Sequence, residues 1–364
     1  MLIGGLAALG FTPSDLRAQP APKPEAAPGG APAADAPALK AAPGTIRLRP
    51  EPAQPTPVWC FDGRSAPPLV RVKLGQPVRL LLRNGTDKPL SLHWHGVRNV
   101  NAMDGVGGVT QAPVPPGGEF LYTFTPPDAG TFLIRPLVVG GSSEPSGRGL
   151  AGMLIVEEAK PPVVDADIGL LLQDWRLEAD GTLMAFGQTA FAAAGGRLGN
   201  VVTVNGGAIP QAVEARPGSR VRLRLANGCS ARATRLRFEG VKVYVSAVDG
   251  QPTDTFEPLR ATLPFPPGTR YDLLIDLPEE EGATASVVAL IGQGLTLASV
   301  TTKGAKLGQT RPPIGPIGEN KALPAEVKLQ NALRRDVVIT GGAFIPKDKP
   351  GADPVFTGDP QKIW

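Results

Sequence analysis

The chain holds two histidines, one residue apart, in Ser91-Leu92-His93-Trp94-His95-Gly96. Alternate side chains of a strand share a face, so on a strand both imidazoles point to one side and Trp94 to the other. Their nitrogens can then serve two neighbouring metal ions, or one ion jointly, and imidazole suits copper, zinc and iron alike. The spacing by itself is weak evidence for a metal, since two histidines on a strand are often only surface or core residues. Other chemistry is thinly represented. There is no phosphate-cradling glycine loop, no Cys-X-X-Cys and no Gly-X-Ser-X-Gly. Gly140-Gly141-Ser142-Ser143 reads as a loop, with no histidine nearby in sequence to activate a serine. Cys60 and Cys229 have no adjacent histidine, which argues against a blue-copper site. They fall in different candidate domains, either as two buried thiols or as a bridge between domains.

The elements that must carry these residues are strands. With 45 glycines and 41 prolines in 364 residues, turns are frequent and long helices are disfavoured. Val70-Arg71-Val72-Lys73, Val78-Arg79-Leu80-Leu81-Leu82, Phe120-Leu121-Tyr122-Thr123-Phe124 and Gly152-Met153-Leu154-Ile155-Val156 all read as strands. The fold class is therefore all-β. The net charge of +4 is mild and the basic residues are scattered, so neither nucleic acid nor an anionic membrane is implied. The Arg-rich run from Arg216 to Arg237 alternates with Val and Leu and reads as the solvated face of strands.

The segment from Asp62-Gly63 to Gly96 recurs from Asn205-Gly206 to Gly240. Val78-Arg79-Leu80 matches Val221-Arg222-Leu223, and Asn84-Gly85 matches Asn227-Gly228. Pro115-Pro116-Gly117 with Tyr122 echoes Pro266-Pro267-Gly268 with Tyr271. A repeat this long argues duplication of a whole β domain rather than a shared short motif. In this alignment His93-Trp94-His95 falls on Arg237-Phe238-Glu239, so the frame does not depend on its histidines.

Ser91 to Val97, followed by Met103-Asp104-Gly105-Val106-Gly107-Gly108, closely resembles the first copper-ligand block of the multicopper oxidases, the laccase-like enzymes. The resemblance extends to Trp59-Cys60-Phe61-Asp62-Gly63, to Asp128-Ala129-Gly130-Thr131-Phe132 and to Ala247-Val248-Asp249-Gly250-Gln251-Pro252. It implies tandem cupredoxin-like Greek-key β-sandwiches with copper as the cofactor. His93 would be a type 2 ligand, His95 a type 3 ligand and Asp104 a proton relay during oxygen reduction. An ordinary Asp-Gly turn is the alternative for Asp104. The pattern departs where a second His-X-His pair belongs, because Arg135 and Leu137 stand there. A guanidinium stays protonated and leucine has no lone pair, so neither replaces imidazole. The family's remaining histidine pairs and its Cys–His copper belong to a third domain.

Five segments follow from this reading. Residues 1–19 form a signal-like apolar segment, resembling the tail of a twin-arginine signal whose arginines would precede Met1; a buried strand is the alternative. Residues 20–43, rich in Ala and Pro, read as a disordered linker. Residues 44–160 and 163–303 are two cupredoxin-like domains. Residues 304–364 are a linker and the start of an incomplete third, opening with a strand at Arg335 to Gly342. The expected protein is exported to the periplasm, has no membrane span, and acts as a non-catalytic scaffold or binding protein with an envelope partner. The alternative is a fragment or degenerate relative of a laccase-like oxidoreductase.

Overall fold

The computed structural model describes residues 35–308, 311–324, 329–330, 332–340, 342–343 and 355–358. The signal-like segment 1–19 and linker residues 20–34 lie outside the described residues. The first sandwich is built from β1 (Ala38–Ile46), β2 (Thr56–Phe61), β3 (Leu69–Lys73), β4 (Val78–Asn84), β5 (Leu92–His95), β6 (Glu119–Phe124), β7 (Gly130–Pro136) and β8 (Gly152–Glu157). Its sheets run β2-β1-β4-β6 and β3-β8-β7-β5. The second uses β9 (Ala166–Trp175), β10 (Val201–Val204), β11 (Gln211–Ala215), β12 (Arg220–Asn227), β13 (Thr234–Glu239), β14 (Val243–Val248), β15 (Gln251–Phe256), β16 (Thr262–Phe265), β17 (Arg270–Asp276), β18 (Thr284–Ala289) and β19 (Leu295–Thr302). Its sheets run β10-β9-β12-β17-β14-β15 and β11-β19-β18-β13-β16. Without β14, β15 and β16 the strand order is that of the first sandwich, so the sequence repeat is a repeat of topology.

The buried Asn84 and Asn227 show how the repeat is written in hydrogen bonds. Asn84 accepts at its backbone oxygen from Gly117 N–H (2.7 Å), and Asn227 accepts from Gly268 N–H (2.9 Å). The side-chain amides donate to Val114 O (2.9 Å) and Phe265 O (2.8 Å) respectively. Each amide thus ties the end of a central strand to the Pro-Pro-Gly turn that opens the next. A buried amide with every partner in place specifies one register and would be costly to leave unpaired. Tyr122 and Tyr271 are not equivalent, however. Tyr122 lies opposite Leu80 and Tyr271 opposite Leu225, two residues out of step, and the counterpart of Tyr271 is Phe120.

Each sandwich has its own apolar core, the first around Trp94, Tyr122, Phe132 and Leu154, the second around Leu223, Phe265, Leu273 and Val287. On β7, Phe132 and Ile134 face the first core. Thr131, Leu133 and Arg135 therefore face the other way, toward the second sandwich. There Leu133, Ala151 and Met153 pack on Leu171 and Ala226. Beside this seam lies a buried charge network. Arg222 pairs with Glu158 (2.6 Å) and Asp272 (2.5 Å), Arg224 with Asp167 (2.8 Å) and Asp272 (3.0 Å), and Thr131 donates to Asp272 (2.5 Å).

Three expectations change, and the two cysteines follow the buried-thiol alternative. Arg222 and Arg224 are each 1% exposed, so the arginines of β12 are not a solvated face; carboxylates from both sandwiches neutralise them, a match invisible from one strand's sequence. Residues 38–43 belong to β1, not to a linker. Ala38–Ala41 pair in parallel with Leu81–Asn84, and Leu39 and Ala41 are buried. The Ala/Pro composition hid a strand that its partner supplies with hydrogen bonds. Residues 335–340 form no strand, and Val337, Val338 and Ile339 are exposed, because among the described residues no partner strand lies alongside them. Cys60 and Cys229 are both free and buried.

Candidate functional site

Trp94 sets the site. It is fully buried, with the Tyr122 and Phe124 rings edge-on at 5.4 and 4.9 Å. Leu92 N–H donates to Tyr122 Oη at 2.8 Å, locking the strand beneath it. With Trp94 committed to the core, period-two alternation sends His93 and His95 to the opposite face. Their rings stand 5.7 Å apart and nearly perpendicular, at 76°. Across the antiparallel β5/β7 ladder, His93 pairs with Arg135, Trp94 with Ile134 and His95 with Leu133.

Asp104 follows a single 3-10 turn at Asn101–Met103 and comes back against β5. Gly105 permits the approach: its φ is +78°, and a Cβ there would overlap the Leu92 carbonyl. Asp104 O lies 2.8 Å from His93 Nδ1, and Asp104 Oδ1 lies 3.5 Å from the same nitrogen. A carbonyl can only accept, so Nδ1 carries a proton, and in the neutral ring the lone pair is then on Nε2. Asp104 is therefore both an Asp-Gly turn that positions His93 and a carboxylate beside it.

His95 is packed against the second sandwich, with Nε2 so close to Gly268 that a side chain there would meet it. Behind it lies Arg270, 3% exposed, whose guanidinium donates to Thr131 O (3.1 Å), Gly268 O (2.8 Å) and Asp249 O (2.8 Å). Burial, then the charges of Arg270, Arg135 and His93, push the His95 pKa down to about 4 against a smaller pull from Asp249. His95 is thus neutral at physiological pH, in a positive local potential. Arg135 is partly buried and has no hydrogen-bonding or carboxylate partner among the described residues. Leu137 contributes its carbonyl, which accepts from Ser91 Oγ at 2.5 Å.

These donors do not suit a copper cluster. Two imidazoles are present, one held at Nδ1 by the Asp104 carbonyl with its carboxylate 3.5 Å away, and the other groups around them are the Arg135 and Arg270 guanidiniums. Among the described residues no group of three or more His, Cys, Asp or Glu side chains could hold a metal ion. Burial raises both thiols, Cys60 and Cys229, so neither is a ready thiolate ligand. In the second sandwich Phe238 is buried like Trp94, and Arg237 and Glu239 take the histidine positions as an exposed ion pair of 2.6 Å. Sequence reasoning named His93, His95, Asp104, Arg135 and Leu137 but missed Arg270. The one signal for Arg270 was its place after Pro266-Pro267-Gly268-Thr269 in the repeat.

Two family models described as multicopper oxidase match residues 44–161 and 167–300. A multi-copper oxidase structure from Pseudomonas thermotolerans is 33% identical with a TM-score of 0.72, covering 81% of this chain and 69% of that one. Lac15 from a marine microbial metagenome is 32% identical with a TM-score of 0.68, covering 80% and 73%. Laccase-1 of Cryptococcus neoformans var. neoformans is 28% identical over 252 residues, 61% of this chain and 39% of that protein. The chain thus spans under half the length of that curated relative. The all-β architecture is that of tandem cupredoxin-like Greek-key sandwiches.

Proposed function

Because the chain belongs to the multicopper oxidase family, we propose that its two sandwiches serve as a non-catalytic binding scaffold of the bacterial envelope. The observation that supports this is the position of Arg135, directly across the ladder from His93. Its fixed charge, with Arg270 behind His95, opposes a cation where the family would bind copper. The residues present do not fit the metal cluster that an oxidation step would require. The scaffold meets a protein partner in the periplasm, reached by export through the signal-like segment 1–19. Among the described residues no helix is long and apolar enough to cross a membrane. Oxygen uptake by the copper-supplemented chain with a phenolic substrate tests the reading. Uptake no greater than with free copper supports it, and protein-dependent turnover abolished by His93→Ala refutes it.

A second reading is a fragment or degenerate relative of a laccase-like oxidoreductase. It is favoured by the Asp104 carbonyl holding His93 Nδ1–H, which leaves Nε2 free as a ligand.

A further inference from the structure

The guanidiniums buried along the interface between the sandwiches are matched, with one exception. Arg222 has Glu158 and Asp272, Arg224 has Asp167 and Asp272, and Arg270 has Asp249 and three backbone carbonyls. Arg135 carries the same charge and is partly buried on the same face of β7, yet among the described residues it has no counter-ion and no acceptor. A partly desolvated guanidinium offers five N–H groups in a fixed fork, and an oxyanion is its geometric complement.

The neighbours narrow the ligand. His93 stands directly across the ladder, with Nδ1–H committed to the Asp104 carbonyl and the lone pair on Nε2. In its neutral form that nitrogen is an acceptor, so it favours an anion that also carries an O–H. His95 sits on the same face with buried Leu133 directly opposite it, and Arg270 adds positive potential from behind. Of the carboxylates nearby, Asp249 pairs with Arg270 at 3.4 Å, and Asp104 Oδ1 lies 3.5 Å from His93 Nδ1, on the far side of the ring from Nε2.

We infer that Arg135 and His93 form a binding site for a partly protonated oxyanion of the hydrogen-phosphate type. The ionised oxygens accept from the Arg135 fork, and the P–O–H donates to His93 Nε2. No bond is made or broken. The inference rests on the reading that this cleft does not hold copper.

The test uses inorganic phosphate, with sulfate as the comparison because sulfate carries no O–H at neutral pH. The chain has two imidazoles in all, so its ring ¹H–¹⁵N spectrum is a direct reporter of the site. Phosphate titrated at constant pH and ionic strength is expected to shift an imidazole resonance saturably, on the order of millimolar. Sulfate should bind more weakly. Arg135→Gln should weaken phosphate by about tenfold or more, as for loss of a hydrogen bond to a charged group. Arg135→Lys, keeping the charge without the fork, should fall between. Unchanged thermal stability in both variants separates this from misfolding. Linear shifts without saturation, equal response to sulfate, or undiminished binding in Arg135→Gln would overturn the site. A chain that binds neither copper nor phosphate loses this inference and keeps the non-catalytic reading.

Discussion

His93 and Arg135 face each other directly across the β5/β7 ladder, so an imidazole and a fixed guanidinium share one face of the sheet. Two like unit charges about 4 Å apart repel by about 4 kcal/mol at an effective dielectric near 20, and a divalent ion doubles that. Since about 1.4 kcal/mol is tenfold in affinity, this one side chain can remove several orders of magnitude of metal binding. Arg135→His removes the charge and adds a third imidazole. Copper affinity, measured by competition with a chelator, is expected to rise at least about tenfold over the parent chain.

The network between the sandwiches should be expensive to break from one side. Asp272 is 1% exposed and receives hydrogen bonds from Arg222, Arg224 and Thr131. Asp272→Ala leaves two buried guanidiniums short of a partner and is expected to cost about 3–5 kcal/mol. Denaturant unfolding measures this, and a loss below about 1 kcal/mol would mean the network is solvated in solution.

The same network sets the acid limit. Burial raises the Glu158 and Asp167 carboxyls, but hydrogen bonds and charge from Arg222 and Arg224 outweigh it, so both end below their unfolded values of 4.5 and 3.8. Below those values the unfolded chain binds more protons than the folded one, so stability falls with falling pH. The contribution is complete above about pH 5 and drains as pH drops through the depressed folded values. Unfolding midpoints from pH 7 to 2 should decline in this acid range, with a shallower decline in Glu158→Gln.

The Ala-rich start of β1 should matter to folding. Leu39 and Ala41 are buried against the first core, and their backbone pairs with β4. A chain beginning at residue 44 is expected to be less stable than one beginning at residue 35 by at least about 2 kcal/mol. Equal melting temperatures would show that β1 contributes nothing before Gly44.

Much of this was legible in the sequence because duplication leaves a register. Asn84 and Asn227, with their Pro-Pro-Gly turns, marked equivalent bonds before any strand was paired. Trp94 and its flanking histidines declared their faces by alternation alone. What could not be read was pairing across domains. The arginines of β12 alternate with apolar residues like any amphipathic strand, and only the fold brings Glu158, Asp167 and Asp272 to them. Arg270 likewise comes beside His95 only in the folded interface, where Gly268 packs against the His95 ring and Gly96 leaves room for the guanidinium. At the other end, Val337-Val338-Ile339 has the composition of a strand, but composition does not supply a neighbour to bond with.

Copper content measures most directly whether this cleft has lost its metal. The purified chain would be loaded with excess copper, dialysed against a weak chelator and analysed for metal per chain, beside His93→Ala. With two imidazoles and two guanidiniums in the cleft, the parent should retain substoichiometric copper, no more than the variant, and neither should oxidise a phenolic dye. Near-stoichiometric copper that survives dialysis, with dye oxidation that disappears in His93→Ala, would contradict the non-catalytic reading.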